Sequence, residues 1–234
     1  MTVRLQHHWD VSFQEAAKIQ QRLARSVIQQ TPASLRRRLG DPALLVAGAD
    51  ISFDRGSPML YAAIVVMRLG DHEIVERVGH RARASFPYVP GYLSFREIPP
   101  LLAAFEKLKS RPDVLFCDGQ GRAHPRRLGL ASHCGILLGL PTIGCAKSRL
   151  IGSHREPGRR KGSQCRLSDA NEVIGRVVRT RTDVKPLYIS VGHRINLQDA
   201  VSLVLRLSPR YRLPEPIRQA HMTVNRMREC LTLR

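Results

Sequence analysis

Residues 43–53 read ALLVAGADISF, an apolar run that is the first of three consecutive strand-like segments. Residues 59–69 read MLYAAIVVMRL and residues 72–79 read HEIVERVG, and both carry β-branched residues in partial alternation with other types. Only the pair Gly70-Asp71 separates the second segment from the third. Because the three segments lie so close together in sequence, they predict an antiparallel three-stranded meander.

A βαβ unit is predicted after the meander. Residues 113–118 read DVLFCD, which is short, apolar and flanked by breakers, and therefore predicts a buried central strand. A helix over about 126–138 and a strand over 142–146 complete the unit and imply parallel pairing. This element order is that of an α/β, RNase H-like mixed sheet, with three antiparallel strands followed by parallel strands, flanked by helices. A doubly wound Rossmann domain is the alternative, but its opening βαβ unit and glycine-rich turn are missing.

The remaining segments extend this pattern over the whole chain. Ser12 and Glu15 have the spacing of a capping box and start the first predicted helix. The further predicted features are a basic connection at 36–38, a loop over 81–97, a helix over about 99–110, a basic insertion over 152–168, strands over 173–180 and 187–191, and a helix near 197–207. We expect one domain over 1–234, with its core over about 41–216, an N-terminal helix over about 12–30 and a basic C-terminal tail over about 217–234.

The chain has 38 Lys and Arg against 19 Asp and Glu, which gives a net charge of +19 over 234 residues. Such an excess favours nucleic acid as the partner over an acidic membrane surface. No apolar run approaches the roughly 18–20 residues of a membrane span, and residues 1–10 do not look like a signal peptide. We expect a cytoplasmic monomer with no membrane partner. The five cysteines form no CxxC pair and predict reduced thiols, not disulfides or a zinc site.

Two aspartates stand out because each lies in an apolar strand of a strongly basic chain. Asp50 lies inside the first predicted strand, and Asp118 ends the central strand just before Gly119. Ligands bind at the carboxyl ends of parallel strands, where two acids together can hold Mg²⁺ through oxygen ligands. A metal there would offset repulsion between the carboxylates and a phosphate and would support phosphodiester cleavage. Either aspartate alone is explained equally well as a turn former or a strand-end cap.

Several motifs resemble those of the endonuclease V family. In family order they are AGAD at 47–50, FPYVPGYLSFRE at 86–97, CDGQG at 117–121, HPRRLG and ASH at 124–129 and 131–133, GCAK at 144–147, and GHR at 192–194. The resemblance extends over about 41–216. It implies a nuclease that uses Mg²⁺, or Mn²⁺ in its place, to nick a strand at the second phosphodiester bond 3′ to hypoxanthine, the deaminated form of adenine. The implied partner is inosine-containing DNA, and inosine-containing RNA is the open alternative.

The resemblance also implies roles for individual residues. The implied catalytic residues are Asp50, Glu97, Asp118, Lys147 at the scissile phosphate and His193 beside the metal, and the three carboxylates are also the metal ligands. The implied DNA-binding residues are Tyr88, a wedge that fills the place of the extracted base, and its neighbours Pro87, Val89, Pro90 and Gly91. The implied base-pocket residues are Gly119 and Gly121.

The residues themselves leave plainer explanations open. Glu97 can complement the dipole of a starting helix, Tyr88 can pack its loop onto the fold, and Lys147 can be a surface lysine at a strand end. His193 can be a packed neutral histidine. His124 and His133 lack a zinc-binding spacing, and we expect them either to support the site residues or to be structural.

Two positions depart from the family pattern. Gln120 lies where the family more often has His, and Cys145 lies where it often has Val. The basic segment over 149–166 is explained equally well as a solvated loop or as a phosphate-tracking surface. Two other functions also remain open: an inosine-specific endoribonuclease, or a catalytically inactive lesion-binding protein. Retention of all three carboxylates argues against the inactive protein.

Overall fold

The computed structural model describes residues 7–54 and 56–232; the rest of the predicted domain, residues 1–6, 55, 233 and 234, lies outside the described part. The elements are, in chain order, helices α1 (Phe13–Ala24) and α2 (Ala33–Arg38), strands β1 (Leu45–Phe53), β2 (Met59–Arg68) and β3 (Ile74–Arg83), helix α3 (Leu93–Phe105), strand β4 (Val114–Cys117), helix α4 (Leu130–Leu138), strands β5 (Thr142–Ala146), β6 (Gln164–Asp169), β7 (Glu172–Val178) and β8 (Leu187–His193), and helices α5 (Leu197–Arg206) and α6 (Glu215–Thr232).

The strands form one mixed sheet in the order β3-β2-β1-β4-β5-β8-β7-β6. Strands β1, β2 and β3 pair as an antiparallel meander, and β1-β4 and β4-β5 are parallel pairs. Strand β8 returns antiparallel to β5, and β7 and β6 continue antiparallel to the sheet edge. The predicted α/β class, with three antiparallel strands followed by parallel ones and helices around the sheet, is confirmed.

Helices cover both faces of the sheet, and the alternation of side chains along β1 shows how. Val46 packs in a core cluster with residues of α5 and α6, while its neighbour Ala47 packs on the opposite face with residues of α3 and α4. Because successive side chains of a strand point to opposite faces, a central strand covered on both sides must be apolar along its whole length. The continuous apolar run at 43–53 has this cause.

The N-terminal elements are shorter than predicted. Helix α1 ends at Ala24 instead of near Gln30, and the basic connection at 36–38 lies within helix α2. The chain between the two helices instead packs at the C-terminal end of β8, where the N–H of Ile28 donates to Nδ1 of His193. Tertiary contacts therefore end α1 before its apolar periodicity does.

Helix α3 begins earlier than predicted. It starts at Leu93 and contains Glu97, so Pro99 and Pro100 lie past the first turn. The helix persists there because Ile98 and Leu101, on either side of the prolines, are almost fully buried against the sheet. The predicted loop over 81–97 is correspondingly short, because β3 also extends into it as far as Arg83.

Two elements of the second half also differ from the prediction. Helix α4 begins at Leu130 instead of near Arg126, because the N–H of Gly129 donates to the carbonyl of Gly121 and the chain before it is a turn. The basic insertion over 152–168 is partly ordered in the sheet, as its last residues form β6 and pair with β7.

The C-terminal segment is a helix and not a tail. Ile217, Ala220 and Val224 of α6 are fully buried. Their spacing of three and four residues is that of one helical face, and this face packs on β1 and β2. Gly48 lets the helix approach, because a β-carbon at this position would lie 2.1 Å from the carbonyl carbon and oxygen of Pro216.

All five cysteines are free thiols, as predicted, and Cys117, Cys134 and Cys145 are in the core. Across the described residues, no helix combines the length and the hydropathy needed to traverse a bilayer.

We predict that Gly48→Ala destabilises the protein by about 1–3 kcal/mol, the usual cost of overpacking a core. The added methyl group overlaps the backbone where α6 begins, so the helix must shift. Thermal unfolding should show a midpoint several degrees lower. Gly40→Ala is the matched control, because its β-carbon meets no atom within 4 Å. Equal midpoints for the two variants would contradict the close contact between β1 and α6.

Candidate active site

Asp50 and Asp118 lie at the same edge of the sheet. Asp50 is on β1 and is 8% exposed, and Asp118 directly follows β4. These two strands are parallel neighbours, and the N–H of Asp118 donates to the carbonyl of Ala49 at 3.2 Å. The backbone pairing therefore brings the two carboxylates together, as the sequence predicted.

Helix α6 adds His221 to this pair. Its Nδ1 donates to Oδ2 of Asp50 at 2.7 Å, and this hydrogen bond raises the pKa of the imidazole. One ligand atom from each of Asp50, Asp118 and His221 lies within 4.8 Å of the others. None of the sequence motifs indicates His221, because this residue follows the last motif. The apolar stripe at Ile217, Ala220 and Val224 was the available signal, since a residue four positions after Ile217 shares its face.

Glu97 of α3 borders the same space, although it is not part of the tight cluster. Burial and the negative charges of Asp50 and Asp118 raise its pKa to about 8. Burial and the charge of Asp50 also raise the pKa of Asp118, against the opposing effect of Lys147. These raised pKa values indicate that the positive charge around the three carboxyl groups is too small to balance their negative charge. A set of oxygen ligands with excess negative charge fits a divalent cation.

Lys147 reaches the site from the end of β5. Its ammonium group forms an ion pair with Asp118, and its side chain remains 41% exposed. One cation is thus held against the carboxylates and open to the surface. Lys147 thus lies beside a predicted carboxylate, and its role at the scissile phosphate stays a prediction.

The structure places His193 away from this site, contrary to the prediction. Strand β8 runs antiparallel to β5, and His193 pairs with Thr142 at the start of β5, whereas Lys147 follows its end. Thr142 and Lys147 are five residues apart in sequence, which in an extended strand is about 16 Å. His193 accepts the N–H of Ile28 at 3.3 Å, and burial lowers its pKa to about 4. It is the packed neutral histidine that the residues alone allowed.

Two connected spaces occupy this edge of the molecule. The acidic cavity, of about 370 Å³, contains Asp50, Glu97, Asp118, Lys147 and His221 in its lining. The loop cleft, of about 470 Å³, lies beside it. Its lining includes Tyr88, Pro90, Gly91, Gly119, Gln120, His124, Ser148, Arg149 and Leu150. Tyr88, Glu97, Asp118 and Lys147 line both, so a molecule in the loop cleft lies against the carboxylates.

Tyr88 projects from its loop and is not packed into the fold. Its side chain is 56% exposed, and its ring lies 5.8 Å from that of Phe53. Pro90 and Gly91 line the loop cleft beside it, whereas Pro87 and Val89 do not. The loop thus presents an aromatic ring at the mouth of the cleft.

The structure separates the two predicted pocket glycines. Gly119 lines the loop cleft. Gly121 packs against β8, where a β-carbon would lie 2.2 Å from the carbonyl oxygen of Val191, so its small size serves the sheet contact and not the cleft. Gln120 between them donates its Nε2 to the carbonyl of Ser148 at 2.9 Å, while its buried Oε1 has no hydrogen-bond partner among the described residues.

His124 and His133 have structural roles, which is one of the two roles expected for them. His133 is fully buried and bonds to Ser94 and His7. The Nε2 of His124 donates to the carbonyl of Gly91 at 3.0 Å, and burial lowers the pKa of His124 to about 4.

The basic segment over 149–166 has both structural and unpaired cations. Arg159 pairs with Asp183, whereas Arg155, Arg160 and Arg166 are exposed and form no ion pair within the described ranges. Arg149 lines the loop cleft. The segment therefore carries unpaired positive charge at its surface, and Arg149 is its residue at the cleft.

Comparison with known proteins agrees with the motifs, with the paired carboxylates and with the adjoining cleft. The family model described as Endonuclease V matches residues 21–222. The chain belongs to the endonuclease V family. The predicted resemblance is confirmed, and membership makes the chain a hydrolytic nuclease.

Individual members of the endonuclease V family match over nearly the whole chain. Endonuclease V of Trichormus variabilis is 47% identical over 220 residues, covering 94% of this chain and 97% of that protein. The crystal structure of Streptomyces avermitilis endonuclease V has a TM-score of 0.88 at 40% identity and covers 99% of this chain and 100% of that one. Ciona intestinalis endonuclease V, in complex with a 23mer DNA containing an inosine followed by a ribo-adenosine, has a TM-score of 0.80 at 28% identity, covering 94% and 100%.

We predict that Glu97→Gln stabilises this member of the endonuclease V family in the absence of metal, and that the gain in stability depends on pH. The folded protein keeps a proton on Glu97 up to a pKa of about 8, whereas the unfolded chain releases it above about 4.5. The contribution of Glu97 to the stability of the wild-type protein is therefore lost as pH rises from about 4.5 to about 8. In chelator, the variant should unfold several degrees above wild type at pH 8.5, and the difference should shrink at pH 5.

The control for this prediction is Glu106→Gln, an exposed glutamate just after the same helix. Its difference from wild type should be the same at both pH values. A Glu97→Gln difference that does not change with pH would contradict the charge repulsion at the site.

Proposed function

We propose that this chain is a metal-dependent repair endonuclease that recognises hypoxanthine and nicks the second phosphodiester bond 3′ to it. The observation that supports this most is the wall shared by the acidic cavity and the loop cleft. A base held in the cleft leaves its 3′ phosphates beside the carboxylates. The cleft volume of about 470 Å³ lies within the range of small-molecule sites and exceeds the needs of one purine.

Asp50, Glu97 and Asp118 are the proposed catalytic carboxylates and would hold Mg²⁺, with Mn²⁺ as a substitute. The bound ion would stabilise negative charge on the phosphate oxygens and activate a water molecule. His221 holds Asp50 in place through their 2.7 Å hydrogen bond and is added to the proposed site. The donor set supports the proposal, because oxygen ligands with raised carboxylate pKa values are suited to this hard cation.

Lys147 is proposed to bind the scissile phosphate. Its ion pair with Asp118 keeps the ammonium group at the shared wall, where its exposed side can meet an incoming phosphate. The net charge of +19 attracts the strand over a longer range. Lys147 would thus reduce the repulsion between the negatively charged substrate and the negatively charged site.

Tyr88 is proposed as the wedge, and Gly119 and Gln120 as part of the base pocket. Extraction of a base leaves a gap in the stack, and an exposed aromatic ring at the cleft mouth is placed to fill it. Hypoxanthine differs from adenine in having a proton on N1. Gln120 lines the cleft with its Nε2 bonded to Ser148, and its unpartnered Oε1 is buried, so the carboxamide would have to turn toward the base to accept this proton.

RNA is a second candidate substrate, and one observation favours it. The Ciona intestinalis relative is bound to a strand in which a ribo-adenosine follows the inosine. A ribonucleotide 3′ to the lesion is therefore compatible with this architecture. We propose DNA as the primary substrate and inosine-containing RNA as the alternative.

We predict that Asp50→Ala and Asp118→Ala each lower Mg²⁺-dependent nicking of an inosine strand by more than about 100-fold, because each removes a metal ligand. Binding of the same strand should remain measurable, since loss of an acid does not weaken phosphate attraction. The assay uses matched inosine DNA and inosine RNA, each with Mg²⁺ and with chelator. Wild-type rates in either variant would contradict the metal site.

The substrate arms of this assay separate the remaining functions. Faster nicking of DNA supports the repair activity, and nicking of RNA alone assigns the ribonuclease. Lesion binding by the wild type without nicking of either strand would identify an inactive binder.

We predict that Tyr88→Ala lowers the ratio of inosine-strand to undamaged-strand binding by about 5- to 150-fold, from the loss of about 1–3 kcal/mol of base stacking. Tyr88→Phe keeps the ring and should keep the ratio. Thermal midpoints should stay close to wild type, because the ring is largely exposed. A lower midpoint with an unchanged ratio would show that Tyr88 only packs the loop.

A further inference from the structure

The carbonyl oxygen of Gly91 accepts three hydrogen bonds at the end of the Tyr88 loop. The donors are Nη2 of Arg126 at 2.7 Å, Nε2 of His124 at 3.0 Å and Nε2 of Gln20 at 3.1 Å. Gly91 has a φ of +82°, a backbone conformation that other residues rarely adopt. The direction of this one peptide group is therefore set by a special conformation and by three donors.

Gln20 connects the loop to the N-terminal helix. It lies on α1 and is fully buried, and it is 71 residues from Gly91 in sequence. Its Oε1 accepts Nε of Arg126 at 2.6 Å, so both ends of its carboxamide are bonded. A buried amide is costly unless its groups are paired, and these partners belong to the loop and its support.

Arg126 completes the contact between α1 and the loop. Its guanidinium lies 4.2 Å from the centre of the Tyr92 ring, directly after Gly91. Gln20 therefore touches the loop directly through Gly91 and indirectly through Arg126. On the other side of Tyr88, the carbonyl of Phe86 accepts Nη1 of Arg96 at 2.9 Å, so the loop is held at both ends and Gln20 belongs to the Gly91 end.

We propose that Gln20 is a positioning residue for lesion recognition: it fixes the Gly91 peptide group so that Tyr88 is held at the mouth of the loop cleft before nucleic acid binds. The inference rests on the proposed function of Tyr88 and assigns a role to helix α1. A loop ordered in advance loses less conformational freedom on binding, which strengthens discrimination without any contact between Gln20 and the substrate.

The first test measures the loop itself without nucleic acid. Gln20→Met keeps the length of the side chain and removes its three hydrogen bonds, to the carbonyls of Gly91 and Leu128 and to Nε of Arg126. Amide hydrogen exchange over residues 88–92 should become about 5- to 100-fold faster, while exchange in β1 and β4 stays unchanged. Gln14→Met, an exposed change on the same helix, is the matched control and should leave the loop unchanged. Unchanged loop exchange in Gln20→Met, or equal acceleration across the sheet, would overturn the proposal.

The second test connects the loop to recognition. Gln20→Met should lower the ratio of inosine-strand to undamaged-strand binding, and the double variant with Tyr88→Ala should be no worse than Tyr88→Ala alone. Multiplied effects would overturn the proposal, because they would show that Gln20 acts independently of Tyr88. If Tyr88→Ala leaves the ratio unchanged, the wedge in the proposed function fails, and hydrogen exchange still decides whether Gln20 orders the loop.

Discussion

Parallel pairing of β1 with β4 forces two carboxylates together, and the rest of the site depends on this constraint. The N–H of Asp118 bonds to the carbonyl of Ala49, next to Asp50, so the backbones of the two aspartates cannot separate without breaking the sheet. Two like charges at this distance repel by a few kcal/mol near a protein surface. Glu97 adds a third carboxyl group, and its raised pKa records the unmet charge.

The surrounding elements supply positive charge in stages. Helix α6 packs close to β1 over Gly48 and brings His221 to Asp50. Lys147 directly follows strand β5 and pairs with Asp118. These partners leave the acids incompletely neutralised, which suits a divalent cation and then a phosphate. The same shared wall places the loop cleft beside the chemistry, so base recognition and cleavage follow from one sheet edge.

The sequence predicted the parts of this arrangement that depend on local pattern. Asp50, Asp118 and Lys147 each lie in or directly after an apolar strand, and the end of such a strand can be read locally. His193 was misplaced because its strand runs antiparallel to β5, and strand direction depends on long-range pairing that a motif does not show. His221 was missed for the opposite reason, since the helical stripe around it was visible but the segment was interpreted as a tail.

The most direct measurement of the central claim is anomalous diffraction from crystals of the full chain soaked in Mn²⁺, chosen because Mn²⁺ scatters strongly and replaces Mg²⁺ in the proposal. We expect one dominant peak where β1 and β4 bring Asp50 and Asp118 together, with carboxylate oxygens of these two residues as ligands and Glu97 turned toward the same space. A dominant peak elsewhere, or no peak at an Mn²⁺ concentration that supports nicking, would contradict it.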